Sequence, residues 1–239
     1  MDIKSMHYDY KKKLNKIDSQ QYRNLRVPEI DWVLNESQEL FVKLIAKPRM
    51  FNHLGFERTQ RTMDDIRPLV ITESDSTGIT PITADNYILP TDYWHYISAS
   101  VTMIKEGCTN QKAKVFIRQQ DDEFEQSPFD KSSFEWRTVN GIFVNNKIKL
   151  FTDGSFTNEK LYLGYIKKPV YIHNADSYNA LVGYNLPDGT NLSGTQNCEL
   201  PDHTHREIVD IAVLITTGEI ENQLGYQFKK EKFNLNINN

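Results

Sequence analysis

Residues 94–119 read WHYISASVTMIKEGCTNQKAKVFIRQ. Apolar and polar side chains alternate here and β-branched and aromatic residues dominate, which is the two-residue period of a half-buried strand. Gly107 and Asn110 interrupt the pattern, so the spacing predicts strands over 94–106 and 112–119 with a turn between them. The same texture continues to Ile166. Asn140-Gly141 is a strong two-residue hairpin signal and is expected to join strands at 134–139 and 142–144. Asn145-Asn146 turns into KIKLF (147–151), where Ile148 and Leu150 face one way and Lys147 and Lys149 the other. Asp153-Gly154 turns into a last strand at 158–166. Short strands joined by tight turns predict an antiparallel β domain over 94–168, a small barrel or a sandwich.

Both flanks of this region switch to a helical period. Ile30, Val33, Leu34, Ser37, Phe41, Leu44 and Ile45 share one helix face. Pro28 suits the first turn, since its missing N–H has no partner there anyway, and Pro48 stops the helix. Glu29, Asp31, Glu36 and Glu39 are assigned to its wet face. A short helix is expected within 59–67, ending before Pro68. At the other end, DHTHREIVDIAVLITTGEIENQ (202–223) has Thr204 and Glu207 at capping-box spacing ahead of a run that is apolar on nearly every side. A helix apolar all round is buried all round, so it should pack against the 28–47 helix and against a neighbouring subunit. The expected class is therefore α+β: a helical body from 27–93 plus 202–225, with the β domain inserted.

Two further stretches complete the chain. Residues 1–26 carry seven basic against three acidic side chains, Lys11, Lys12, Lys13 and Lys16 among them, and are read as a basic flexible arm. Residues 169–198 contain no Lys, Arg or Glu. A solvated linker would be more charged, and a structureless loop this long is unusual inside a compact domain. Residues 169–201 are thus read as an extended arm that packs on another surface through Val170, Tyr171, Ile172, Tyr178, Leu181, Val182, Tyr184, Leu186 and Leu192. A polar tail, 226–239, follows.

Composition narrows the function. The 239 residues carry 28 Lys+Arg and 32 Asp+Glu, a net charge of −4, with only two cysteines. The acidic balance argues against a general duplex-DNA or membrane-surface binder. Two cysteines make no disulfide framework and point to a reducing compartment. There is no apolar run long enough to span a membrane and no apolar core behind the N-terminal lysines that would make a secretory signal. Catalytic motifs are lacking: no glycine-rich phosphate loop, no GxSxG, no HExxH. Cys198, His203 and His205 stand close together beside Asp202, but their spacing fits no zinc pattern and the two histidines point to different helix faces. The acidic run 121–125 has no turn glycine for a calcium loop. Asp64-Asp65 is a lone pair, and His7, His53, His95 and His173 are scattered. No catalytic residue, metal or cofactor is expected.

The blocks IDSQQYRNLRVPEIDWVLNESQELFVKLIAKPR (17–49) and NCELPDHTHREIVDIAVLITTGEIENQLGY (197–226) resemble the head–tail connector proteins, rings or adaptors, of short-tailed crAss-like bacteriophages that infect Bacteroides and relatives. FERTQRTMDDIRPLVI (56–71) and LPTDYWHY (89–96) fit the same pattern. The resemblance implies a virion structural protein at the portal vertex, not an enzyme. It implies a ring of about twelve copies closed by head-to-tail contacts. The implied partners are further copies of itself, the portal protein, neighbouring tail ring or hub proteins, and genomic double-stranded DNA passing through without specific binding. Assembly would take place in the host cytoplasm. The alternative is a peripheral protein that docks a tail fibre or decorates the capsid. A further alternative is a nucleic-acid binder made during infection, using residues 1–26.

Overall fold

The computed structural model describes residues 1–15, 25–46, 64–83, 85–118, 131–219, 227 and 230. The expectations placed on Lys16, the Pro48 stop, His53, the run 121–125 and nearly all of the 226–239 tail lie outside the described residues. The chain divides into two units, one made of Met1–Pro68 with Pro169–Asn239, the other of Leu69–Lys168. Residues 69–93, expected in the helical body, therefore belong with the strands.

The sheet unit is a single curled, seven-stranded sheet, a half-barrel. Its strands are β1 (Val70–Ile71), β2 (Asn86–Ile88), β3 (Tyr93–Lys105), β4 (Cys108–Ile117), β5 (Thr138–Val144), β6 (Lys147–Phe151) and β7 (Thr157–Lys167). Their spatial order is β1-β7-β3-β4-β5-β6-β2. Among the described residues β1 and β2 stand at the two ends of the order, so the sheet is neither the barrel nor the sandwich expected. Tight turns where φ is positive close three of its connections: Gly107 between β3 and β4, Asn145 between β5 and β6, and Gly154 before β7. In β6 the alternation holds, with Ile148 and Leu150 buried and Lys147 exposed. The core is almost purely aliphatic and aromatic, built from Val101, Met103, Val115, Val139, Ile148, Leu150, Leu161 and Leu163 among others.

Two departures from the simple meander appear. β4 and β5 pair in parallel, which a two-residue turn cannot join. Asn140 and Gly141 lie inside β5 and form no hairpin. Gly141 is small for packing reasons. A Cβ there would lie 2.8 Å from a Leu150 methyl and 3.2 Å from the Lys149 carbonyl oxygen. The glycine leaves room for Leu150, its register partner on β6.

The helical unit contains α1 (Ile3–Asn15), α2 (Val27–Ala46), α3 (Ala175–Tyr178) and α4 (His205–Glu219), with two short ribbons, β8 (His173–Asn174) paired to β11 (Thr195–Gln196) and β9 (Tyr184–Asn185) paired to β10 (Asn191–Leu192). α2 follows its predicted span closely and buries Ile30, Val33, Leu34, Ser37 and Phe41. α4 begins at His205, three residues later than expected, while 220–223 of the expected span lie outside the described residues, and it packs on both α1 and α2. Its Thr216 and Thr217 hydroxyls donate back to the Ala212 and Val213 carbonyls, which lets polar residues lie buried in an apolar helix.

The N-terminal stretch differs most from its sequence reading. Instead of a flexible arm, residues 3–15 form a helix with Ile3, Met6, Tyr10 and Leu14 all buried. These four sit at three- and four-residue spacing, a helix face diluted by lysines on the other side. The Tyr10 hydroxyl hydrogen-bonds Thr216 Oγ1 at 2.7 Å, and Lys13 Nζ lies 3.0 Å from Asp210 on α4. α1 thus supplies much of the cover that α4 was expected to need from a neighbour.

Candidate assembly surface

The segment 169–201 is not a free arm in this unit; it is fastened to α2 by buried polar groups. Asp31, placed on the wet face by the sequence, is 0 % exposed. Its Oδ1 lies 2.6 Å from His7 Nε2 on α1, and its Oδ2 accepts from the Tyr184 hydroxyl at 2.7 Å and from the Asn174 N–H at 3.1 Å. One turn on, Asn35 Oδ1 accepts from the Ile172 N–H at 2.8 Å, and its Nδ2 donates to the Ile172 carbonyl at 2.7 Å. Gln38 Nε2 reaches the Val170 carbonyl at 3.2 Å. Asp31, Asn35 and Gln38, at four- and three-residue spacing, form a polar ladder along one side of α2. Burial first, then the Asp31 carboxylate, push the Tyr184 hydroxyl far above its ordinary pKa, and burial raises Tyr171 to about 12.

The nine arm residues consequently divide. Ile172 and Tyr184 are buried in their own unit, and Tyr171, Leu186 and Leu192 are half-buried. Val170 is exposed, and at the turn before β9 Tyr178, Val182 and Leu181 are 50 %, 62 % and 94 % exposed. The tip of the arm, and not its whole length, is the part left exposed.

A second surface is a groove of about 940 Å³ between α1 and α4. Lys4, Tyr8, Lys12, Lys13, Arg206 and Asp210 are among the residues lining it. Of the basic residues singled out in the sequence, Lys11 and Lys12 are exposed. Lys13 is held between Asp9 and Asp210. The basic residues are thus presented on a folded helix, one of them already neutralised.

The Cys198 neighbourhood is structural. The thiol points to Gln38 Oε1 at 3.3 Å, and burial pushes its pKa up to about 11. His203 Nε2 lies 2.6 Å from Asp65 Oδ1, while His205 is buried, its Nε2 2.8 Å from the Leu200 carbonyl and its Nδ1 2.9 Å from the Met1 amine. The two histidines face different partners. Among the described residues no group of three or more His, Cys, Asp or Glu side chains is arranged to hold a metal. Nor, among them, is any helix long and apolar enough to cross a membrane.

A family model described as phage tail ring protein 3/4, of the crAss-like group, matches residues 1–225. The chain belongs to this family. A comparison with curated proteins gives no match. The tail ring protein is thereby a structural component of a bacteriophage virion, acting in an oligomeric assembly with other tail components. Sequence reasoning missed His7, Asp31 and Asn35 as the residues that position its tip. The one signal available was the i, i+4, i+7 spacing of Asp31, Asn35 and Gln38, which runs beside an apolar stripe and resembles any solvated helix flank.

Proposed function

We propose that this tail ring protein forms a closed ring of about twelve copies on the tail axis, joining the portal to the tail and conducting DNA. The match of the ring family across residues 1–225 is the observation that carries the reading. Three properties of the chain support it. A cyclic head-to-tail assembly needs two different surfaces on every copy, and the exposed apolar turn at 178–182 is suited to be one of them. The arm residues that remain exposed, Val170, Tyr178, Leu181 and Val182, are then the contacts to neighbours, while Lys11 and Lys12 on α1 meet an acidic partner surface. The net charge of −4 keeps phosphates from adhering, so that DNA slides through the channel.

The test is the copy number of this protein in purified, DNA-filled particles, counted against the major capsid protein. About twelve copies per particle is the expected result. Hundreds of copies would move the protein to a capsid surface or a peripheral fibre site. Absence from particles would overturn the structural reading and return attention to residues 1–26 as a nucleic-acid binder.

A further inference from the structure

The two faces of the sheet differ in character. Strand side chains alternate, and register partners share a face. One face holds the core, with Val101, Ala113, Val115, Ile148, Leu150 and Leu161 buried. The strand positions of the other face carry five lysines: Lys112 and Lys114 on β4, Lys147 and Lys149 on β6, and Lys160 on β7. The register sets them in rows. Lys112 and Lys160 both pair with Thr102, Lys114 with Thr138, Lys149 with Ile142 and Lys147 with Val144. Lys149 is half-buried and the other four are exposed. Among the described residues no aspartate or glutamate stands at a strand position of this face. Glu73 reaches it from the loop after β1 and is already engaged, by the Ser100 hydroxyl and by Lys112 at 3.5 Å. The whole-chain charge of −4 hides this face, because it is a sum over every residue.

Three of the ammonium groups are positioned before any ligand arrives. Lys112 Nζ lies 5.5 Å from the centre of the Tyr162 ring, Lys114 Nζ 5.3 Å from that of Phe116 and Lys149 Nζ 4.8 Å from that of Phe151. A cation over a ring face is attracted by the ring. The same contacts narrow the ligand. Protein–protein interfaces are depleted in lysine and depend on aromatic or arginine anchors in dry pockets, whereas here each of these rings lies beneath an ammonium. Bases of a single strand stack on open ring faces. The Tyr162 ring has Lys112 over it and is also crowded by Gly78, where a Cβ would lie 3.2 Å from it. What remains is a grid of point charges, about 7 Å apart along a strand and about 10 Å apart across two strand spacings. Lysine lacks the planar fork by which arginine reads a base edge in a bidentate way. Such a grid suits the evenly charged backbone of duplex DNA.

Resting on the reading above that this protein conducts DNA, we infer that the lysine face of the sheet, Lys112, Lys114, Lys147, Lys149 and Lys160, is the surface that touches the phosphates of the passing duplex. Contacts made by point charges, without base readout, allow a duplex to slide, and the acidic balance of the rest of the chain keeps them loose.

The test uses the full chain, in which the acidic run 121–125 is present, and a short fluorescent duplex of arbitrary sequence read by anisotropy from about 50 to about 200 mM salt. Four to five phosphate contacts predict that log affinity falls against log salt with a slope of roughly −4. Lys114→Gln with Lys147→Gln, Lys149→Gln and Lys160→Gln is expected to weaken binding at low salt about tenfold or more and to bring the slope to about −1. The same four positions changed to Arg should keep the wild-type slope, which separates lost charge from lost fold. Lys4→Gln with Lys11→Gln and Lys12→Gln on α1 should leave binding unchanged. A wild-type chain that does not bind duplex at low salt overturns the lysine face. Binding lost in the α1 variant but kept in the sheet variant overturns it as well, and so does tighter binding of a single strand than of duplex. Binding of polyglutamate without binding of duplex overturns the DNA reading and makes the face a seat for an acidic protein. Copy number in particles tests the ring separately, so a protein counted at about twelve copies that ignores duplex overturns the lysine face alone.

Discussion

The two units hold themselves together by different means. The sheet unit, Leu69–Lys168, is one continuous stretch of chain around a core of aliphatic and aromatic side chains. The helical unit is assembled from the two ends of the chain, and buried polar side chains stitch its parts: His7 on α1, Asp31 and Asn35 on α2, Tyr184 and the backbone of 172–174 beyond the sheet unit. Apolar burial is non-directional and tolerates small shifts. A buried carboxylate accepting from three separate segments does not, because each unmade hydrogen bond inside costs more than it would in water. The helical unit should therefore be geometrically exact and brittle, and the sheet unit more forgiving. The exposed turn inherits its position from the first property, through Tyr184 and Asp31.

The sharpest way to break this contrast is Asp31→Ala. It strips partners from His7, Tyr184 and the Asn174 N–H at once, and a cost of roughly 3–5 kcal/mol is expected. Hydrogen exchange should show protection lost in α1, α2 and 172–185 while β3 to β7 keep theirs. Equal loss in both units would refute the contrast. Gly141→Ala is the counterpart in the sheet. Its Cβ must push the Leu150 methyl aside, and overpacking of this kind costs about 1–3 kcal/mol. The expected outcome is a folded protein with a lower urea midpoint and an unchanged slope; an unfolded one would show the sheet to be the brittle unit. Tyr10→Phe removes only the hydroxyl that bonds Thr216 and should cost about 1 kcal/mol, read as a small drop in melting temperature.

Two titration tests act more gently. Burial raises Tyr96 and Tyr165 of the sheet unit to about 12 and Tyr87 beyond that, raises Tyr171 of the helical unit to about 12, and raises Tyr184 beyond that. Protons held in the folded state are released by the unfolded chain near pH 10, the ordinary tyrosine value. This contribution to stability is whole below pH 10 and is lost as the pH rises through the folded values. Ultraviolet titration should show these tyrosines ionising last, and Tyr184 only as its unit unfolds. Ionisation of all twelve tyrosines in one step near pH 10 would contradict the burial described. Cys198, raised to about 11 by burial, should react with a thiol reagent at pH 8 at least about tenfold more slowly than exposed Cys108, because the thiolate is the reactive form.

Legibility followed the same divide. KIKLF reads correctly as a strand because its period of two needs only local information, and the turns at Gly107, Asn145 and Gly154 read correctly because positive φ is a local demand. Asn140-Gly141 misleads because the same dipeptide serves a turn or a tight packing contact, and the difference lies in Leu150, nine residues away. α1 was hidden by its lysines, which mask a regular row of Ile3, Met6, Tyr10 and Leu14. Asp31 on a helix next to Glu29 and Glu36 carries no local mark of burial; its partners lie 24 to 153 residues away in the chain.

By itself the sequence determined the mixture of helices and strands, α2 and α4, the strand texture and the uncharged character of 169–198, because these depend on residue type and short-range period; the family came from the resemblance of whole sequence blocks. The tertiary structure alone decided the strand order with its parallel pair, the docking of α1, and which part of 169–201 is buried and which faces out. Those outcomes depend on long-range pairing, where a carboxylate is buried only if its donors arrive from elsewhere in the chain.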